Sequence, residues 1–241
     1  MNKKPKILGL ILARGGSKGL PKKNIKEFCG KPLIAWTISQ AIGSNEFAKV
    51  VVSTDCIEIS EVSNKAGAET PFLRPAALSA DTSPSIDAVL HCIEYFSQHE
   101  EDFDAVCLLE PTSPLRTANQ LQEIIRSFND RSSEFNSLIT VGRVREPLEL
   151  FKSLDGKKLI SYENDSNQHI SLRRQDAKTQ YFPYGVAYIA KTQTLVEEKT
   201  FYSQKSTYFV IQDDQCFEID DQIDFDINEH LFQKYYYNNQ F

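Results

Sequence analysis

Arg14, Lys18 and Lys23 fall in one short stretch, LARGGSKGLPKKN (Leu12 to Asn24), with Gly15, Gly16 and Gly19 among them. Glycine permits backbone conformations closed to other residues and lets main-chain N–H groups approach an anion. Three fixed positive charges on such a loop suit a polyphosphate. The stretch is neither G-x-x-x-x-G-K-[ST] nor G-x-G-x-x-G. Read alone it would also fit a surface loop with solvated lysines. Its place directly after an apolar run (Ile7 to Ala13) favours the ligand. The opposite charge gathers near the other end, in CFEIDDQIDFD. In an extended segment residues two apart point the same way, so Glu218 and Asp220 share a face and Ile219 turns from it. Two adjacent carboxylates repel unless a proton or a cation lies between them. Mg²⁺ accepts such hard oxygens while bridging phosphates. Asp221 and Asp224 instead suit the start of the last helix, where acidic groups meet the positive end.

The elements that must position these residues follow from periodicity. KILGLILA, KVVVSTD, DAVCLLEPTSPLR and SLITVGRV read as strands, most of them apolar on both faces. PLIAWTISQAI, CIEISEVSNKAGA, SIDAVLHCIEYFSQH and ANQLQEIIRSFND alternate with them as helices, with Pro32 suited to a first turn and Ser85 to an N-cap. This is an α/β pattern with a mostly parallel sheet covered on both sides. Ligands of such sheets sit beyond the carboxyl ends of the strands. Those ends carry ARGGSKG, STD and EPTSPLR, and all should fall on one edge. The alternation stops near Arg143. Residues 145–180 are polar and read as an insertion of short strands and loops, leaving 1–144 and 181–241 as the core. YGVAYIAK and STYFVIQ return to strand before the acidic turn and a last helix; of the tyrosines in YYYNNQF at least one must be exposed.

The net charge of −6 excludes a general nucleic-acid binder, so any basic site is local. Five cysteines without C-x-x-C spacing read as reduced thiols of a cytoplasmic protein. The first residues resemble a signal peptide, but Arg14 interrupts a short apolar run and no cleavage site follows. No segment approaches the roughly 20 apolar residues of a membrane span. The histidines form no H-E-x-x-H or Ser-His-Asp pattern.

LARGGSKGLPKKNI, VVSTD, LRPAALSADTSPSIDAV, LLEPTSPLR and EIDDQIDFD, in this order, resemble the acylneuraminate cytidylyltransferase family, the CMP-sialic acid synthetases. The resemblance implies a Rossmann-like nucleotidyltransferase sheet with a protruding insertion that pairs two subunits. It implies Mg²⁺-dependent activation of a nine-carbon 2-keto sugar acid by CTP. Matching positions place Leu12, Ala13, Arg14, Gly15, Asn24, Arg74 and Ser85 on the nucleotide, and Arg14, Lys18, Lys23 and Asp220 in catalysis. Glu218 and Asp220 match the metal motif, with Glu218 where Asp is usual. The sugar end takes Glu110, Thr112, Arg174, Gln175 and Tyr184, with Arg173 an alternative grip on the sugar carboxylate.

Departures from the family pattern cluster at that end. Glu110 replaces a common glutamine, PYG replaces PNG, and Glu149 stands where some members carry a lysine, a role open to Lys152. The sugar therefore need not be N-acetylneuraminate, and a legionaminate fits extra carboxylates that accept from amide N–H groups. Two alternatives stay open: an enzyme for the eight-carbon acid Kdo, and a sugar-nucleotide binding protein without catalysis.

Overall fold

The computed structural model describes residues 4–146, 148–161 and 178–237. Strand β1 (Ile7–Leu12) leads through the basic loop to a small hairpin, β2 (Glu27–Phe28) and β3 (Lys31–Pro32). Then come α1 (Leu33–Ser44), β4 (Lys49–Ser53), α2 (Ile57–Lys65), α3 (Ser85–Gln98), β5 (Ala105–Leu108), α4 (Ala118–Arg131) and β6 (Ser137–Arg143). A separate hairpin follows, β7 (Lys152–Asp155) and β8 (Lys158–Ser161), and lies within the 145–180 region. The chain ends with β9 (Tyr181–Lys191), α5 (Thr192–Glu198), β10 (Ser206–Val210) and α6 (Gln222–Tyr235).

The main sheet runs β10-β6-β9-β5-β1-β4. All neighbours are parallel except β9, which runs antiparallel between β5 and β6. The period-two alternation of β1 divides the core. Ile7 and Ile11 join Ile34 and Ile38 of α1 and Leu121, Ile124 and Phe128 of α4. Leu8 and Leu10 join Val89, Cys92 and Phe96 of α3 and Leu195 of α5. Both faces of the sheet are thus covered by helices, which is why the strands read apolar throughout.

A third cluster docks α6 beside the basic loop: Phe225 and Phe232 meet Leu20, Phe28, Trp36 and Ile219. The Trp36 indole N–H donates to the Phe28 carbonyl at 2.7 Å. Asp221 caps α6 by accepting from the Asp224 N–H, and Asp224 accepts in return from the Asp220 and Asp221 N–H groups. This is the capping box that acidic residues before an apolar run suggest. Tyr236 is buried, donating to Asp214 at 2.9 Å, while Tyr235 and Tyr237 are exposed.

Two local expectations change. Ser85 is not an N-cap: Pro84, extended at φ −60° and ψ 137°, takes that position and Ser85 is the first helical residue. Pro32 likewise flanks α1 and does not lie in its first turn. No helix of the described residues is long and apolar enough to cross a membrane.

Candidate active site

Beyond the carboxyl ends of β1 and β5 lies a cleft of about 570 Å³. The basic loop forms one wall. Its entry is set where Ala13 N–H continues the ladder to Ser53 and Gly15 N–H donates to the Asp55 carboxylate at 2.9 Å. Asn24, buried, ties the loop back by donating to the Arg14 carbonyl at 3.1 Å. Gly19 passes the Asp220 carbonyl so closely that any Cβ would collide with it. Glycine is therefore required where the amino-terminal loop meets the acidic segment.

Lys23 completes that junction. Its side chain is only 14% exposed, and its ammonium donates to the Ile219 carbonyl at 2.6 Å and lies 3.3 Å from the Asp220 carboxylate. Asp220 itself is 84% exposed and opens on the cleft. Arg14 and Lys18 meet a third group, Asp81, at 2.7 and 2.6 Å. Hydrogen bonding from Lys18, then the charges of Lys18 and Arg14, hold the Asp81 carboxyl below the usual carboxylate range.

Arg74 is buried at the back of the cleft, with its N–H on the Thr54 carbonyl and its Nε on Ser79 at 3.0 Å. Burial pulls its pKa down, the nearby Asp55 opposing the shift. Leu12, Leu78, Leu108 and Pro111 supply apolar lining.

The other end of the cleft is built around Glu110 and Thr112. Glu110 N–H donates to Gly185 at 3.0 Å, and a Cβ on Gly185 would strike the Glu110 carboxylate. Burial first, and the neighbouring Glu218 second, push the Glu110 carboxyl up to about 7. Glu218 accepts from the Ser113 hydroxyl and the Gly185 N–H. Beneath both carboxylates lies Arg116, fully buried, donating to the carbonyls of Glu110, Ser113 and Val186. Tyr188 and Tyr202 flank this end: burial, with Glu110 contributing, pushes both phenols up.

The cleft thus gathers Leu12, Arg14, Lys18, Lys23, Asn24, Arg74, Ser85, Glu110, Thr112 and Asp220. Ala13 and Gly15 support it from behind, by backbone. Glu218 is turned onto Ser113 and Gly185 and does not line the cleft. Tyr184 lies outside the lining too; its carbonyl accepts from Thr140 and its ring packs on Phe182. Arg173, Arg174 and Gln175 lie outside the described residues, as does the side chain of Glu149. Lys152 begins β7. Asp81 and Arg116 escape a reading by residue type. Both sit inside quoted motifs, SADTSPS and PTSPLR, and that is the signal that could have found them.

Among the described residues no three His, Cys, Asp or Glu side chains cluster as a metal cage. Mg²⁺ does not need one: it keeps waters and uses one or two carboxylates together with substrate phosphates. Asp220, beside Lys23 and open to the cleft, fits that mode.

The raised Glu110 carboxyl gives a pH signature. In the folded chain it holds its proton to about pH 7; unfolded, it releases the proton near 4.3. Between those values the folded state binds more protons, so stability falls as pH rises through the window. The contribution lost is about 3–4 kcal/mol. Glu110→Gln should flatten this slope in urea unfolding between pH 5 and 8, measured in EDTA. An unchanged slope would show that Glu110 titrates normally.

A mostly parallel, helix-covered sheet with a basic glycine loop and a carboxylate at one edge is an arrangement suited to nucleotidyl transfer. The comparisons narrow the class. Residues 8–241 match the family model described as "Cytidylyltransferase", and the chain belongs to that family. It is 34% identical over 235 residues to the pseudaminic acid cytidylyltransferase of Campylobacter jejuni, covering 95% of this chain and 97% of that protein. It is 33% identical over 230 residues to the CMP-N,N'-diacetyllegionaminic acid synthase of Legionella pneumophila, covering 95% and 97%. Among solved structures, CMP:2-keto-3-deoxy-manno-octonic acid synthetase complexed with CTP shares the fold. The TM-score is 0.67 at 14% identity, over 95% of this chain and 99% of that one.

Proposed function

We propose that this chain transfers the cytidylyl group of CTP to the anomeric hydroxyl of a nine-carbon 2-keto sugar acid, releasing pyrophosphate. The observation that carries the reading is the convergence of Arg14, Lys18, Lys23 and Asp220 on one cleft. The sugar hydroxyl attacks the α-phosphorus and the pyrophosphate oxygen leaves. Such a transfer needs alignment and charge stabilisation more than a protein nucleophile. Arg14 and Lys18 would neutralise the leaving phosphates, and Lys23 would fix Asp220. Arg74, Asn24 and Ser85 would hold the nucleoside end. Asp220 would hold Mg²⁺ together with the phosphates, and the ion would supply a positive charge at the transferring group. Glu218 would act behind it, ordering Gly185 and Ser113. Asp220→Asn should therefore abolish Mg²⁺-dependent turnover with the fold intact, as read by pyrophosphate release and circular dichroism. A mutant of undiminished rate would remove Asp220 from the site.

The acceptor is the finer question. Glu110 lines this end with a carboxyl suited to an amide on the sugar, and the Tyr188 and Tyr202 phenols stand near that carboxyl. We infer an acceptor with two acylated amino groups, such as a legionaminate, in preference to N-acetylneuraminate, which carries one. The test is the product formed from CTP, Mg²⁺ and a panel holding N-acetylneuraminate, legionaminate and pseudaminate derivatives and Kdo. Turnover of N-acetylneuraminate equal to the best of these would overturn the preference. Turnover of Kdo alone would move the chain to the eight-carbon reaction. No pyrophosphate from any of them would leave a binding protein.

The chain would work as a cytoplasmic homodimer. Its cysteines are all free. Leu154 and Leu159 of the β7–β8 hairpin are 81% and 69% exposed, an apolar surface that a second copy would cover. Light scattering at micromolar concentration reads the mass directly.

A further inference from the structure

Asp81 presents one carboxylate oxygen to each of the loop's cations: Oδ1 to Arg14 at 2.7 Å and Oδ2 to Lys18 at 2.6 Å. A phosphate group would meet two cations in the same way. Asp81 lines the cleft with them and comes from the facing segment, residues 79–84, ahead of α3. That segment is held mainly by its own short-range bonds. Ser79 N–H donates to Ala76, Ser83 N–H to Ala80 and the Ser83 hydroxyl to Ala77. Its ties across the cleft are the two ion pairs and the bond from Arg74 to Ser79.

The strength of the pairs decides what they can do. Lys18 is 76% exposed and Asp81 43% exposed. Exposed pairs are weak, about two- to fivefold each in an equilibrium constant. A buried pair would lock the cleft, but these can be exchanged. A polyphosphate and Asp81 cannot keep the same cations without bringing like charges together. We infer that Asp81 is a placeholder anion. In the free protein it holds Arg14 and Lys18 together at the mouth of the cleft. The polyphosphate of CTP displaces it, and the 79–84 segment moves outward as the nucleotide enters. The inference rests on the CTP reading of this cleft.

The alternative role for an aspartate here, a Mg²⁺ ligand, predicts the opposite sign. Isothermal titration of the full chain with pyrophosphate, and separately with CTP, in Mg²⁺ buffer separates the two. Asp81→Asn keeps the side chain's size and removes its charge. It should bind pyrophosphate about three- to tenfold more tightly than the wild type, because two exposed pairs no longer compete. The gain should shrink in about 0.5 M salt, where such pairs are screened. The Mg²⁺ concentration for half-maximal binding should not move. Binding equal to or weaker than wild type, or a higher Mg²⁺ requirement, overturns the placeholder. Arg14→Ala is the control for the underlying reading. If it weakens pyrophosphate binding while Asp81→Asn fails to strengthen it, only the placeholder falls. If it leaves pyrophosphate binding unchanged, the phosphate site itself is wrong and the placeholder falls with it.

Discussion

Arg116→Met should cost the fold about 3–5 kcal/mol, the range for removing one member of a buried charge network. The side chain is fully buried, and its guanidinium closes three backbone carbonyls, those of Glu110, Ser113 and Val186. Methionine matches the volume and returns none of these bonds. Each orphaned carbonyl then carries a desolvation penalty of about 1–3 kcal/mol. Burial lowers the Arg116 pKa only to about 10, so it remains a cation at neutral pH and is the countercharge beneath Glu110 and Glu218. Without it the Glu110 carboxyl should rise further. Urea unfolding of the variant checks the cost, and a loss under about 1 kcal/mol would contradict the role. The charge part separates by a cycle: in a Glu110→Gln background the same Arg116 change should cost less. Arg116→Lys should recover little, since one ammonium cannot span carbonyls that a planar five-donor fork reaches together.

That network also marks the limit of what a single sequence reveals. The sheet's composition was legible because β1, β4 and β5 are apolar on both faces and each is followed by a helix or a turn. The edge they share was legible for the same reason, since parallel strands all end on one side. The site of β9 was not. Tyr184 to Lys191 reads as a strand, but its antiparallel insertion between β5 and β6 depends on pairings far apart in the chain, from Arg143 with Tyr181 to Ala105 with Lys191. Arg74 is placed on the nucleotide by resemblance alone, and nothing local in the sequence shows that Thr54 and Ser79 hold it. Ser85 reads as a cap because a serine hydroxyl can accept from first-turn N–H groups, and Pro84 takes the position instead. Lys18 and Asp220 carry opposite charges that a sequence shows plainly. That Gly19 must be glycine for the basic loop to pass the acidic segment is a matter of contact with the Asp220 carbonyl, and no local pattern contains it.

Arg14→Ala and Lys18→Ala should each lower kcat by about 10²-fold, the scale for losing one preorganised contact to developing charge. The fold should survive both changes. The two side chains are 37% and 76% exposed, and their partner Asp81 is exposed as well. Thermal unfolding then acts as the control that lets a rate loss be read as chemistry. Because both cations grip one anion in the free protein, the geometry predicts that they grip one phosphate group in the complex. Two groups acting on a single charge are not independent. The double variant should lose much less than the product of the single losses. Lys23→Ala should behave differently. Lys23 is nearly buried and anchors the Ile219 carbonyl beside Asp220, so its loss should raise the Mg²⁺ requirement along with lowering the rate. Pyrophosphate release under saturating CTP, titrated with Mg²⁺, measures all three. Full activity in either Arg14→Ala or Lys18→Ala would remove the glycine loop from the reaction, and strictly multiplicative losses would place the two cations on separate phosphates.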